Sequence, residues 1–220
     1  MNMSNKVCRN CDRTFSDYKQ FKEHLKECNE NRITIGDVQT TLATGEPLKS
    51  GATFSPDKKY RYKLWRIWDS TKPKCSFVML NPSKADAIML DPTVRRCVDF
   101  ARLWGYGSLI VGNIFALKST DPKELYRSED PIGPDNDDAL LDIVKNSDIT
   151  ITAWGNHGAF TKRGAKVLSM LLRDHVEKMA HLGFTNNGEP IHPLYQPKSA
   201  VPIKYQVRRT SNGVLMWLKG

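Results

Sequence analysis

The residues with the plainest chemistry stand at the front of the chain. Cys8 and Cys11 are separated by two residues; His24 and Cys28 follow, separated by three. Thiolates and imidazoles at this spacing suit a tetrahedral zinc ion, the first pair on a tight knuckle and the second pair one turn apart on a helix. Phe15 and Phe21 fall where so small a unit keeps its apolar core. The ion expected here is structural Zn(2+), and no cofactor is expected for catalysis. The chain has five cysteines, an odd number, which argues against a disulfide framework.

A second set of reactive types is scattered through the remainder. Four polar peptides marked by Gly or Pro directly follow apolar runs: Leu80-Asn81-Pro82-Ser83, Gly112-Asn113-Ile114-Phe115, Trp154-Gly155-Asn156-His157-Gly158 and Ile191-His192-Pro193-Leu194-Tyr195. Carboxamides offer a donor and an acceptor together, and a neutral imidazole offers one of each. Each peptide also has a plain structural reading. Asn81-Pro82 suits a turn, Asn113 a buried amide, Trp154–Gly158 a turn around a packed indole, and His192 a structural histidine before proline.

These peptides need elements to hold them. Apolar and β-branched runs place strands at Tyr60–Trp68, Cys75–Leu80, Ser108–Ile114 and Ile149–Ala153, with a further strand near His181–Thr185 or Ile191. Helical periodicity covers Asp91–Trp104, Asp135–Lys145 and Lys162–Met179. Lys204–Arg209 and Val214–Leu218, around Ser211-Asn212-Gly213, read as a hairpin. Alternating strands and helices imply an α/β domain, a mostly parallel sheet flanked by helices on both faces, whose ligands bind at the carboxyl ends of the strands. The expected organisation is a ββα zinc finger over 1–30, a linker and domain edge over 31–58, and the α/β domain over 59–220.

Composition narrows the class. The 220 residues are 40% hydrophobic and 26% charged, with a mean hydropathy of −0.50. No apolar run approaches the roughly 18 residues of a membrane span, and Met1–Lys6 carries no secretion signal, so a cytoplasmic protein with no membrane partner is expected. The net charge is +9. Residues 1–30 hold six basic and five acidic side chains, which leaves 27 and 19 for the remainder. If the partner is the polyanion that such a charge suits, the large domain holds most of it.

The front unit resembles the zinc fingers built on two cysteines and two histidines, with Cys28 in place of the last histidine. Their base-contacting positions fall on Asp17, Gln20 and Glu23, two of them acids. The finger's partner is therefore either DNA or protein.

The large domain has its own resemblance. Val78-Met79-Leu80-Asn81-Pro82-Ser83 resembles the first motif of the uracil-DNA glycosylase superfamily, Gly-x-Asp/Asn-Pro, whose acid or amide positions the attacking water; Met79 stands where that motif has Gly. Val111-Gly112-Asn113-Ile114 is similar to the strand whose Asn pairs with the edge of a flipped base. Ile151–Gly155 is similar to the strand-plus-Gly segment before the last site helix. His192-Pro193 resembles the opening of the His-Pro-Ser loop, whose His stabilises the departing base and whose next apolar residue enters the duplex; here that wedge is Leu194, Tyr195 or neither. The same peptides are similar to those of an uncharacterised bacterial and viral domain family.

This resemblance implies a three-layer glycosylase-like fold and a hydrolase that excises a modified or damaged base from DNA, leaving an abasic site, in antiviral defence or repair. Asn81 and His192 would be catalytic. Pro82, Asn113, Asn156, His157, Arg95, Leu194 and Tyr195 would contact substrate. The residue types fit that chemistry. An amide holds water but takes its proton poorly, so turnover is slow or the base leaves readily, and Asp86 or Asp91 is near enough in sequence to act as base. Asp91 also suits the N-cap of its helix. Arg95 and Arg96 hold phosphate or a bulky base substituent, or form an exposed helix face; His157 is a second donor or packs a turn. Two other readings stay open: a module that binds modified DNA without cutting, and an enzyme on free nucleosides or nucleotides.

Overall fold

Short, doubly buried runs set the centre of the sheet. Every residue of Cys75–Met79 and of Ile149–Thr152 is buried, as expected of strands covered by helices on both faces. The computed structural model describes residues 6–7, 14–15, 20, 33–41, 47–83, 92–119, 121, 123–209 and 215–218. The zinc-ligand set Cys8, Cys11, His24 and Cys28 lies outside the described residues, as do Asp17, Glu23, Asp86 and Asp91; Gln20 is exposed.

Near the front, β1 (Lys6–Val7) pairs antiparallel with β2 (Thr14–Phe15). The main sheet is built from β3 (Ile33–Thr41), β4 (Pro47–Phe54), β5 (Arg61–Ile67), β6 (Lys74–Met79), β7 (Ser108–Asn113), β8 (Ile149–Thr152), β9 (Met179–His181) and β10 (Ile203–Lys204). Their order across the sheet is β10-β9-β8-β6-β7-β5-β4-β3. A separate hairpin joins β11 (Gln206–Arg209) to β12 (Leu215–Leu218). The helices are α1 (Pro92–Leu103), α2 (Lys123–Arg127), α3 (Asn136–Lys145) and α4 (Arg163–His175). None of the described helices is long and apolar enough to cross a membrane.

The sheet is mixed, which corrects the mostly parallel expectation. Only β9-β8-β6-β7 are mutually parallel; β10, β5, β4 and β3 run antiparallel to their neighbours. The reason is connection length. A parallel crossover needs a dozen or more residues, and the joins between β3, β4 and β5 are too short for one. Within the stretch 31–58, β3 and β4 form one edge of the sheet. Ala52 pairs with Leu64 and is fully buried.

Helices cover both faces, so the α/β architecture and its three layers hold. On one side Val94, Cys97, Val98 and Ala101 of α1 join Phe77, Leu109, Val111 and Ile151 in one core. On the other, Leu140 and Val144 of α3 and Val167, Leu168, Leu171 and Leu172 of α4 join Val78 and Met179. The crossover from β6 to β7 steps one way across the sheet, and those to β8 and β9 step the other way. Right-handed connections then put α1 opposite α3 and α4.

Boundaries move where pairing competes with periodicity. The expected helix Lys162–Met179 stops at His175, passes through a 3-10 turn at Val176–Lys178 and gives Met179 to β9. Pairing of Met179 with Thr150 buries that side chain completely, which outweighs one more helical turn. Ile203–Lys204 pairs with β9, so the hairpin arm begins at Gln206.

At the end of β9, His181 is 8% exposed; its Nδ1 accepts from the Gly183 N–H at 3.0 Å. The ring stands 4.2 Å from that of Phe184 and 4.9 Å from that of Tyr205. Burial holds the imidazole below its usual 6.5. The unfolded chain therefore takes the proton first. Stability is intact above pH 6.5 and falls as the pH drops from there towards the lowered native value. Urea melts between pH 7.5 and 5 should show this slope, and His181→Gln should flatten it; a slope unchanged by the substitution would assign it to other groups.

Candidate functional site

The strand order locates a crevice. From β6 the chain crosses to β7 on one side and later returns to β8 on the other, so the peptides that leave β6 and β8 diverge. Open α/β sheets bind ligands at this switch point, outside the carboxyl ends of the strands. A cleft of about 570 Å³ opens there, a size usual for small-molecule sites. Its walls include Met79–Asn81 and Ser83 after β6, Thr93 and Val94 at the start of α1, and Trp154–His157 after β8. Arg61, Ser119, His192 and Tyr195 complete the described lining.

Asn81 is turned by its own amide. The β6–β7 ladder continues past the strands, with Ile114 N–H donating to Met79 O (2.8 Å) and Phe115 N–H to Leu80 O (2.9 Å). Beyond it, Asn81 Nδ2 donates to Ser119 O at 2.9 Å, and Ser119 N–H donates to Pro82 O at 2.9 Å. Ser119 is itself buried, with its Oγ 2.5 Å from Glu124 Oε2. The Asn81 nitrogen is therefore spent on the scaffold, and Oδ1 is the atom left to accept from a ligand or water.

His192 arrives from the far end of the chain. Gly155 N–H donates to Pro190 O (2.8 Å) and Ile191 N–H to Gly183 O (3.0 Å), which lays this segment along the peptide after β8. Gly155 has φ +70° and ψ −173°, a conformation essentially restricted to glycine. Nδ1 of His192 accepts from the Leu194 N–H at 3.4 Å and caps the 3-10 turn Pro193–Tyr195. With Nδ1 accepting, the neutral ring carries its proton on Nε2.

The peptide after β8 adds three groups. Trp154 is 2% exposed and donates from Nε1 to Glu189 Oε2 at 2.6 Å. Asn156 Oδ1 accepts from Thr185 Oγ1 at 2.6 Å. His157 Nδ1 lies 2.5 Å from the Tyr126 hydroxyl.

The segment Ile191–Tyr195 follows no strand, since β9 ends at His181, and the peptide after β7 is placed differently from those after β6 and β8. Asn113 does not line the cleft; it is 2% exposed, and its Oδ1 is buried with no hydrogen-bond partner. Asn136 Nδ2 donates to Asn113 O (2.9 Å) and Ile114 O (3.0 Å), and Arg163 Nε donates to Ile114 O (2.9 Å) while pairing with Asp137. This peptide leaves β7, on the outer side of β6 from the crevice, and its backbone is consumed by the scaffold. Pro82 is buried and contributes its carbonyl to Ser119 rather than a wall. Arg95 is exposed on α1 and off the lining. Arg96 donates to Gln196 O (2.5 Å) and lies over the Phe100 ring. Leu194 is 45% exposed outside the lining, whereas Tyr195 is 82% exposed and forms part of it.

Two wall residues escaped sequence reasoning. Arg61 is 3% exposed, a buried cation in the cleft. Nothing marks it in the run Tyr60–Trp68, whose aromatic and partly alternating pattern reads only as a strand. Ser119 could have been sought as the polar residue after the third expected strand's exit. Among the described residues no group of three or more His, Cys, Asp or Glu is placed to hold a metal.

A family profile described as a protein of unknown function, DUF1643, matches residues 61–194. The chain belongs to the DUF1643 family. The DUF1643 match begins at Arg61 and ends at Leu194, so it contains the cleft walls except Tyr195 and excludes the front unit and β3–β4. No curated protein and no solved structure matches the chain.

Proposed function

We propose that the cleft hydrolyses an N-glycosidic bond, releasing a modified or damaged base from DNA. One observation carries this reading: Asn81 and His192, far apart along the chain, wall the same crevice, and the Asn81 nitrogen is held by Ser119 O so that its amide oxygen is the atom left for a ligand. In this reaction the sugar becomes cationic and the base departs with negative charge. Asn81 Oδ1 orients a water and needs to remove little of its proton before bond breaking. His192 Nε2–H donates to the departing base, and the buried Arg61 charge favours the anion that forms. Asn156, with its oxygen held by Thr185, keeps N–H donors for the base edge, a role that Asn113 does not fill from its buried position.

The likeness of Val78–Ser83 and His192-Pro193 to the glycosylase superfamily supports the same assignment, and the net positive charge after residue 30 suits a polymer substrate. The test is release of free base from single- and double-stranded DNA carrying candidate modified bases, read by mass spectrometry and by abasic-site cleavage. Release from the polymer supports the proposal. Turnover of mononucleosides alone would move the substrate to free nucleosides. Base-dependent binding with a steep salt slope and no release would make the domain a reader.

The front unit fits structural zinc. The register of Lys6 against Phe15 and Val7 against Thr14 leaves Cys8 and Cys11 in the connecting segment, as a zinc knuckle requires. Cys8, Cys11, His24 and Cys28 would hold the ion, which supplies folding energy to that unit. Full-length protein should carry one zinc per chain by elemental analysis, and Cys8→Ser with Cys28→Ser should abolish it. Zinc retained by the double variant would refute the ligand set.

A further inference from the structure

One short turn braces two walls of the cleft. Phe184 bridges Pro190, Thr185 N–H donates to Glu189 O at 2.8 Å, and Gly188 N–H donates to Thr185 O at 2.8 Å. Gly188 closes the turn at φ +79°, which costs glycine little. From this turn Glu189 Oε2 accepts from Trp154 Nε1 at 2.6 Å. Thr185 Oγ1 donates to Asn156 Oδ1, also at 2.6 Å. The same Oγ1 accepts from the Glu189 N–H at 3.3 Å, so a lone pair is engaged there and its one proton serves Asn156. Asn156 lines the cleft, and Thr185 stands behind it, outside the lining. An amide whose oxygen is held in this way presents its two N–H groups.

We propose that Thr185 is a positioning residue that fixes the Asn156 amide with its N–H groups towards the cleft, so that the cleft selects a base with an oxo group at the edge Asn156 meets over the counterpart with an amino group. A carbonyl oxygen there gains a hydrogen bond. An amino group sets donor against donor and leaves both unmatched. The inference rests on the glycosidic reading for the ligand being a base, and its test is binding rather than release.

Full-length protein is titrated by calorimetry with two oxo–amino pairs of nucleosides, deoxyinosine against deoxyadenosine and deoxyuridine against deoxycytidine. The wild type should bind the oxo member of at least one pair about tenfold more tightly, the worth of one good hydrogen bond. Thr185→Val keeps the shape of the side chain and removes the hydroxyl, which frees the amide to turn over, so the preference should be lost. Thr185→Ser, which keeps the hydroxyl, should retain it. Asn156→Asp offers acceptors only and should reverse it in favour of the amino member. Asn156 is exposed, so this variant reads the same prediction in a folded protein even where Thr185→Val is unstable. Binding of neither pair, a wild type without preference, a preference that survives Thr185→Val with both members equally weakened, or one that Asn156→Asp leaves unreversed would overturn the proposal. Nucleoside preferences as expected in a protein that releases no base from any DNA would refute the glycosidic reading alone.

Discussion

His192→Ala should lower base release by about 10²–10³-fold, the usual cost of removing one donor to a developing anion. Asn81→Ala should cost about 10²-fold or more, because a water displaced by an ångström attacks poorly. Both side chains also serve the scaffold, so each loss has a modest stability component. Asn81 gives up its bond to Ser119 O and His192 its cap on the 3-10 turn. Each is worth about 1 kcal/mol, or about 2–4 °C in a domain of this size. The two effects separate cleanly: a large fall in single-turnover release with a melting temperature only a few degrees lower. Release that survives both substitutions would remove the assignment of these residues. A collapse of the melt by 10 °C or more would recast them as structural.

Gly158→Ala should damage the fold more than any single change in the walls. A β-carbon at position 158 would lie 2.0 Å from Trp154 Cδ1 and 2.5 Å from its Nε1. The indole is 2% exposed and tied to Glu189, so it cannot swing aside without breaking that bond. Overpacking costs about 1–3 kcal/mol, and leaving the buried donor and its carboxylate unmatched adds about 1–3 more. A fall of about 10 °C in melting temperature is expected. Base release should fall with it, since Trp154 walls the cleft. Gly155→Ala makes an informative contrast. Its added β-carbon has room, 3.6 Å from His192 Cβ, so only the backbone at φ +70° is strained. A melt for Gly158→Ala within 3 °C of wild type would show that the indole can relocate.

Much of the layout was legible because it is local. Cys75–Leu80, Ser108–Ile114 and Ile149–Ala153 are runs whose apolar character on both faces has one explanation, burial between helices. The structure ends each within a residue of the expected limit. Asp135–Lys145 and Asp91–Trp104 carry helical periodicity over several turns, and helices are found at Asn136–Lys145 and Pro92–Leu103. Failures came where distant partners decide. Residues 33–41 and 47–54 are too polar to read as strands by themselves; they become strands because β5 offers an edge. Met179 belongs to a helix by pattern and to a strand by pairing with β8.

The candidate site divides along the same line. Residue types and spacing by themselves marked the α/β class and the peptides that leave β6, β7 and β8, because each is a pattern within a few turns of chain. Only the tertiary structure decided that the peptides after β6 and β8 meet His192 in one crevice while Asn113 is buried, its carbonyl held by Asn136 of α3. It also brought in Arg61, Ser119 and Tyr126, whose surroundings in the chain are unremarkable. The physical reason is that strand order follows from crossover handedness and from which helix faces can be buried together. That competition is settled over the whole domain, and no short stretch of residues records its outcome.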